Sequence, residues 1–277
     1  MSFLTTQQIT SYYERYKSTE LTFTKEIIEV IGLITKQVGF KCLDDVYPCL
    51  IYSSSFEGAK IVANTKTGLI HKLQEAHQMG ALKFSFIDME TGEFLTVLVN
   101  ARSMGYAPYA GSQDMILIHL QFSQRPPDDL IVIMGRILDA NANAIQRRED
   151  RIQISKDTQR KLHIVSQNVG ILIQGVPRQG ILRDLSFFSA KVVIMGLAKF
   201  LEEREVALTI DFEGPLKSFT IKGRFVRSET VKGRKDLVIM LIAFDEALVP
   251  IGYKMRLNNY IGQNRPDVSG PQTGAET

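Results

Sequence analysis

Short runs of Val, Ile, Leu and Phe, alternating with polar residues or continuous over a few positions and cut by turn residues, occupy most of this chain and predict strands rather than helices. In the first half they fall at residues 49–52, 60–63, 82–87, 94–99 and 116–122, with turn signals such as Thr91-Gly92 between them. A second series covers residues 152–164, 170–174, 191–195, 206–212, 219–227 and 237–244, interrupted by Glu213-Gly214-Pro215 and Lys232-Gly233. Such series suit small antiparallel barrels, in which closing the sheet removes its exposed edges. Helical spacing is confined to the flanks. Ile9, Tyr12, Tyr13 and Tyr16 predict a leading helix, Ile27, Ile28, Val30 and Ile31 fit either a helix or a strand, and Leu248, Ile251, Met255 and Tyr260 predict a closing helix. The expected fold is mainly β with flanking helices: two tandem small antiparallel β-barrels.

The two series repeat one another. Residues 53–62 (SSSFEGAKIV) parallel residues 184–193 (DLSFFSAKVV), six of ten positions agreeing when Ile and Val are equated. Residues 117–122 likewise parallel 239–244 in hydrophobicity, so two divergent copies of one barrel explain the pattern economically. Between them lies Asp139-Ala-Asn-Ala-Asn-Ala, small and polar like a domain junction. The expected organisation is a first domain over residues 1–140, a linker over 141–152, a second domain over 153–262, and a frayed polar tail over 263–277.

A length of 277 residues agrees with about two domains. With 44% hydrophobic and 23% charged residues the chain matches globular averages and not those of disordered or fibrous proteins. Its most apolar stretches, 130–138 and 192–197, fall far short of the roughly 20 residues that cross a bilayer. The first residues have no basic region followed by an apolar core, so no secretory signal is expected, and the expected location is the cytoplasm. A net charge of +3 is too small for bulk electrostatic coating of DNA or an anionic membrane, which leaves only a local anion site. Cys42 and Cys49, with six residues between them, fit neither a redox C-x-x-C nor a zinc ribbon, and are read as buried thiols in a reducing compartment.

The densest cationic spot is Gln146-Arg147-Arg148-Glu149-Asp150-Arg151, between the junction and the second series of strands. A guanidinium offers a planar fork to phosphate oxygens or to the O6 and N7 edge of guanine, and its face stacks on a purine. Farther on, Asp184 and Ser186 stand between predicted strands, where a carboxylate accepts from the N1–H and N2–H donors of guanine and a hydroxyl adds a second contact. Together, R-x-x-x-R at Arg147 and Arg151 and D-x-S-x-x-S at Asp184, Ser186 and Ser189 resemble the PilZ domain, the bacterial receptor module for cyclic di-GMP. The resemblance covers residues 145 to about 262. It departs from the family form D-x-S-x-x-G at Ser189, the glycine being kept instead at Gly58 of the first copy, and serine takes a positive φ less freely than glycine.

The whole layout looks like the two-domain PilZ receptors of spirochaetes, the PlzA type. That resemblance implies a ligand, cyclic di-GMP, bound by Arg147, Arg151, Asp184, Ser186 and Ser189, with Arg148, Gln146 and Arg183 as further candidates and no metal. It also implies that the linker folds over the ligand and reorients the two halves, a signal passed to a protein partner through the first domain, and roles in signal transduction and motility regulation. No arginine lies between Arg15 and Arg102, so the first copy lacks the clamp and is expected not to bind the ligand.

Enzymatic readings fail on the sequence. Glu246-Ala247-Leu248 spells the signature of the cyclic di-GMP phosphodiesterases, but only 29 residues follow it, far short of a barrel of roughly 250 residues with metal-binding strand ends. It reads instead as the first turn of the closing helix. No H-E-x-x-H, G-x-S-x-G or P-loop occurs. A nucleic-acid-binding protein using the basic linker is the main rival class and lacks a broad basic face interleaved with aromatics. A ligand-independent adaptor is the third reading.

Overall fold

The computed structural model describes residues 4–264 apart from 90, 113, 196–203, 215–217 and 232. Two compact units divide the chain, Met1–Asp139 and Ala140–Thr277. The first contains α1 (Thr6–Tyr16), β1 (Leu21–Thr22), α2 (Lys25–Ile31), β2 (Gly39–Cys42), β3 (Asp45–Ser54), β4 (Gly58–Asn64), α3 (Leu69–Glu75), β5 (Met79–Ile87), β6 (Phe94–Pro108) and β7 (Met115–Phe122). Next comes α4 (Asp128–Gln146), inside which the division falls. The second unit continues with β8 (Ile152–Gln153), α5 (Lys156–Lys161), β9 (Asn168–Ile173), β10 (Val176–Leu185), β11 (Ser189–Met195), β12 (Glu205–Asp211), β13 (Ser218–Val231), β14 (Arg234–Phe244) and α6 (Ile251–Gln263).

Each unit is a closed six-stranded antiparallel barrel. In the first the order is β3-β2-β5-β6-β7-β4, closed by pairing of β3 with β4, and β1 adds to β3. In the second it is β10-β9-β12-β13-β14-β11, closed by β10 with β11, and β8 adds to β10. The orders are identical strand for strand. The repeat holds to the residue at the hairpin: Leu21 and Thr22 pair with Ser54 and Ser53, as Ile152 and Gln153 pair with Leu185 and Asp184, a displacement of 131 residues (Thr22 to Gln153, Ser53 to Asp184).

Alternation builds the cores. Along β11, Ala190, Val192 and Ile194 point inward while Lys191 and Val193 do not, and β12 buries Val206, Leu208 and Ile210 in the same way. Burying a Val, Ile, Leu or Phe side chain contributes about 1.5–3 kcal/mol, so these inward rows set the strand register. Tyr253 and Leu257 of α6 join this core, with Tyr253 edge-on to Phe244 at 6.1 Å between ring centroids. In the first unit α2 starts where the Thr24 hydroxyl accepts from Ile27 N–H and ends at Gly32, whose φ of +65° and approach to the Ile87 carbonyl leave no room for a Cβ. Both cysteines are free and buried. Among the described residues no helix is long and apolar enough to cross a membrane.

Three local expectations are corrected. Residues 152–164 are not one strand: β8 lasts two residues, the Ser155 hydroxyl then caps α5 by accepting from Thr158 N–H at 3.1 Å, and only Ile164 returns to a β-bridge, with Phe212. The polar stretch 139–144, placed at the junction of the units, is helical: Ala140 and Ala144 are buried, while half-buried Asn141 accepts from Lys254 and Asn143 donates to Asn258, both of α6. Glu246-Ala247-Leu248 is a separate 3-10 turn capped by Asp245, and α6 begins beyond Pro250. The predicted turns at Lys232 and Pro215 and the tail from residue 265 lie outside the described residues.

Candidate functional site

Past the end of α4 a turn closes from Asp150 N–H to the Arg147 carbonyl at 3.1 Å and delivers Arg151 to the start of β8. Because β8 pairs with the end of β10, this places Arg151 against Asp184. The register of β10 slips between Leu182 and Asp184, a bulge of the kind that re-aims side chains beside sites. Three residues, 186–188, then turn the chain into β11, closed by Ser186 N–H to the Ser189 carbonyl at 2.8 Å and anchored by Phe187, which is fully buried. The Ser186 carbonyl in turn accepts from the buried Tyr253 hydroxyl at 2.7 Å, tying the turn to α6. Burial pushes the Tyr253 phenol's pKa up and keeps it a donor.

A polar network links four of the predicted residues. Arg151 donates through Nε at 2.8 Å to Asp184 Oδ1, again through Nη2 to the same oxygen, and through Nη1 at 2.7 Å to Ser189 Oγ. The Ser186 and Ser189 hydroxyls are 2.7 Å apart. Asp184 and Ser186 are among the few buried polar residues, and a buried carboxylate is tolerated when a cation and further donors satisfy it. Ser189 is not among the described residues with positive φ, so serine fits its backbone without strain and its hydroxyl serves the arginine.

The remaining candidates stand around this network without joining it through any described bond. Arg147 is half-buried with Nη1 3.7 Å from Asp150. Arg148 pairs with Glu246 and lies over the Phe188 ring at 5.4 Å, and Lys254 lies at 5.8 Å from the same ring. Gln146 is exposed at the last position of α4, and Arg183 is exposed on β10. Sequence reasoning missed Tyr253 and Phe188, which carry no signal of their own, and read Glu246 only as part of the Glu246-Ala247-Leu248 tripeptide, not as the partner of Arg148. It also missed Glu20, whose signal was its place 131 residues before Arg151.

The comparisons bear on both units. Residues 7–141 match the PilZN3 domain. A cyclic di-GMP binding protein of Treponema denticola is 38% identical over 270 residues, covering 97% of this chain and 86% of the relative. The chain belongs to the two-domain PilZ family. Among solved structures, this PilZ protein resembles Borreliella burgdorferi PlzA in complex with c-di-GMP, at 23% identity and a TM-score of 0.42 over 93% of this chain and 99% of the other. Escherichia coli YcgR in complex with c-di-GMP is also similar, at 10% identity and a TM-score of 0.28 over 86% and 87%. Among the described residues of the PilZ protein, no group of three or more His, Cys, Asp or Glu side chains could hold a metal ion.

Proposed function

We propose that the protein is a cyclic di-GMP receptor, and that it binds the second messenger at the second barrel through Arg147, Arg151, Asp184, Ser186 and Ser189. One observation carries the reading: the R-x-x-x-R segment and the D-x-S-x-x-S turn, far apart in sequence, meet in a single network at Arg151, Asp184 and Ser189. On this reading the Arg147 and Arg151 guanidiniums take the phosphate oxygens and the guanine O6/N7 edge, while the Asp184 carboxylate accepts from guanine N1–H and N2–H. The 38% identity of the Treponema denticola cyclic di-GMP binding protein supports the choice of ligand.

The output is conformational. Ligand capture changes the relation of the two units, by no more than the difference in affinity between the two states allows, and the first barrel passes the change to a protein partner in the cytoplasm. Calorimetric titration of the full chain with cyclic di-GMP, alongside single-stranded RNA and DNA, tests the receptor reading. Saturable binding of the dinucleotide alone is expected; nucleic-acid binding without it, or no binding at all, overturns the reading. Inter-domain distances that do not change at saturation refute the conformational output.

A further inference from the structure

The first barrel repeats this hairpin and reverses the charge at its centre. Strand register puts Ser53 where the second barrel has Asp184, and Glu20, the residue before β1, where it has Arg151, the residue before β8; the same offset of 131 residues takes Arg147 to Tyr16. The bulge recurs at the same step, between Ile51 and Ser53, and the turn closes through the same bond, Ser55 N–H to the Gly58 carbonyl at 2.8 Å. Phe56, 1% exposed, anchors it as Phe187 anchors the other. A cleft of about 250 Å³ lies here, lined by Ser18, Glu20, Ser53, Gly58, Lys60 and His119 among others. Gly58 permits the close strand approach behind it, since a Cβ would stand 2.3 Å from the Leu120 carbonyl oxygen.

The cleft's central charge is satisfied from within. Glu20 accepts from the Ser53 hydroxyl and from Lys60 Nζ at 2.8 and 2.9 Å, contacts that hold its carboxyl pKa below the usual value. A carboxylate in the place of a guanidinium repels the phosphodiester anions of a cyclic dinucleotide, and a serine in the place of Asp184 offers guanine no charged acceptor.

We propose that the first barrel holds a latent copy of the ligand cleft, closed to cyclic di-GMP by the side chains of Glu20 and Ser53 while its backbone already has the site's form. The inference rests on the function proposed above. Ser53-x-Ser55-x-x-Gly58 keeps the serine and the glycine of the family motif, so Ser53→Asp completes D-x-S-x-x-G, and Glu20→Arg supplies the arginine that reaches it. Tyr16 is 6% exposed and its hydroxyl donates to Asp139 at 3.1 Å, so the conversion leaves it in place.

The test uses the full chain with the second site silenced by Arg147→Ala/Arg151→Ala, titrated with cyclic di-GMP by calorimetry. Adding Glu20→Arg/Ser53→Asp is expected to raise affinity over the silenced parent by about 10-fold or more, the lower end for one charge-assisted contact. Glu20→Arg alone, which leaves buried Ser53 untouched, is expected to gain in the same direction and guards against misfolding of the double replacement. If either variant, folded by its melting curve, binds no better than the silenced parent, the proposal is overturned. A wild-type chain that fails to bind the dinucleotide removes the functional reading and this inference together, whereas a binding wild type with no gain in the converted chains removes the inference alone.

Discussion

Arg151 and Asp184 form a pair in which the cation is reached by solvent and the anion is not: the Arg151 side chain is 29% exposed and that of Asp184 only 4%. Ligand and fold therefore draw on the same arginine. Arg151→Ala leaves a buried carboxylate without its partner, at a cost of about 3–5 kcal/mol, and removes charge-assisted ligand contacts worth about 1.5–3 kcal/mol, or a 10- to 150-fold loss of affinity. Arg151→Lys restores the charge without the planar fork, so its melting temperature is expected to recover more fully than its affinity. Thermal melting and calorimetry on the same two variants check this, and equal recovery of both would show that the fork is not used.

Arg148 is expected to act on the ligand indirectly. Its pair with Glu246 is half exposed on both sides, at 51% and 49%, and such pairs contribute only about 0.2–1 kcal/mol. Arg148→Ala should weaken cyclic di-GMP binding by less than about 5-fold, and the charge exchange Arg148→Glu/Glu246→Arg should recover part of the loss. A loss as large as that of Arg147→Ala, with no recovery on exchange, would make Arg148 a direct ligand contact instead.

Much of this was legible in the sequence, for physical reasons that also mark its limits. Strands alternate with a period of two, so the inward rows of both barrels and the kinship of residues 53–62 with 184–193 could be read directly. The Arg151–Asp184–Ser189 network was accessible because its parts fall in a known motif. Helices at the junctions were harder: Asp139 to Ala144 reads by composition as a domain junction, and the division does fall there, but its helical conformation shows only in the burial of Ala140 and Ala144 and the side-chain bonds of Asn141 and Asn143. The run after Ile152 is apolar enough for a strand, yet Ser155 stops it by capping α5. Glu20 was passed over because a lone glutamate has no signature, although the 131-residue offset between 53–62 and 184–193 already sets it opposite Arg151, and the pairing of the two-residue β1 agrees with that offset.

Tyr253 is expected to hold the ligand turn in place. Its hydroxyl donates to the Ser186 carbonyl within the core, and Tyr253→Phe removes that bond while keeping the ring. The loss should be about 0.5–1.5 kcal/mol of stability, a fall of several degrees in the melting temperature of the second unit. Affinity for cyclic di-GMP should fall as well, since the turn bearing Ser186 and Ser189 loses its tie to α6. Unchanged affinity in a destabilised Tyr253→Phe chain would confine the tyrosine to a structural role.

The Glu20 cluster should give the first unit a pH dependence of known sign. Hydrogen bonds from Lys60 and then from Ser53 lower the Glu20 pKa below its ordinary 4.5, so the folded state binds this proton less readily than the unfolded chain. The stabilisation from the ionised carboxylate is then fully present above about pH 4.5 and is lost as pH falls through the lower folded-state value. Glu20 is partly open to solvent, with its side chain 45% exposed, which keeps the effect small. Wild type should therefore melt slightly above Glu20→Gln at pH 7, with the gap closing as the pH falls below the ordinary carboxyl value of 4.5. A gap that is the same at pH 7 and pH 3, measured at one ionic strength, would mean that the carboxylate's charge contributes nothing and that Lys60 pairs with it without holding the segment before β1 to the barrel.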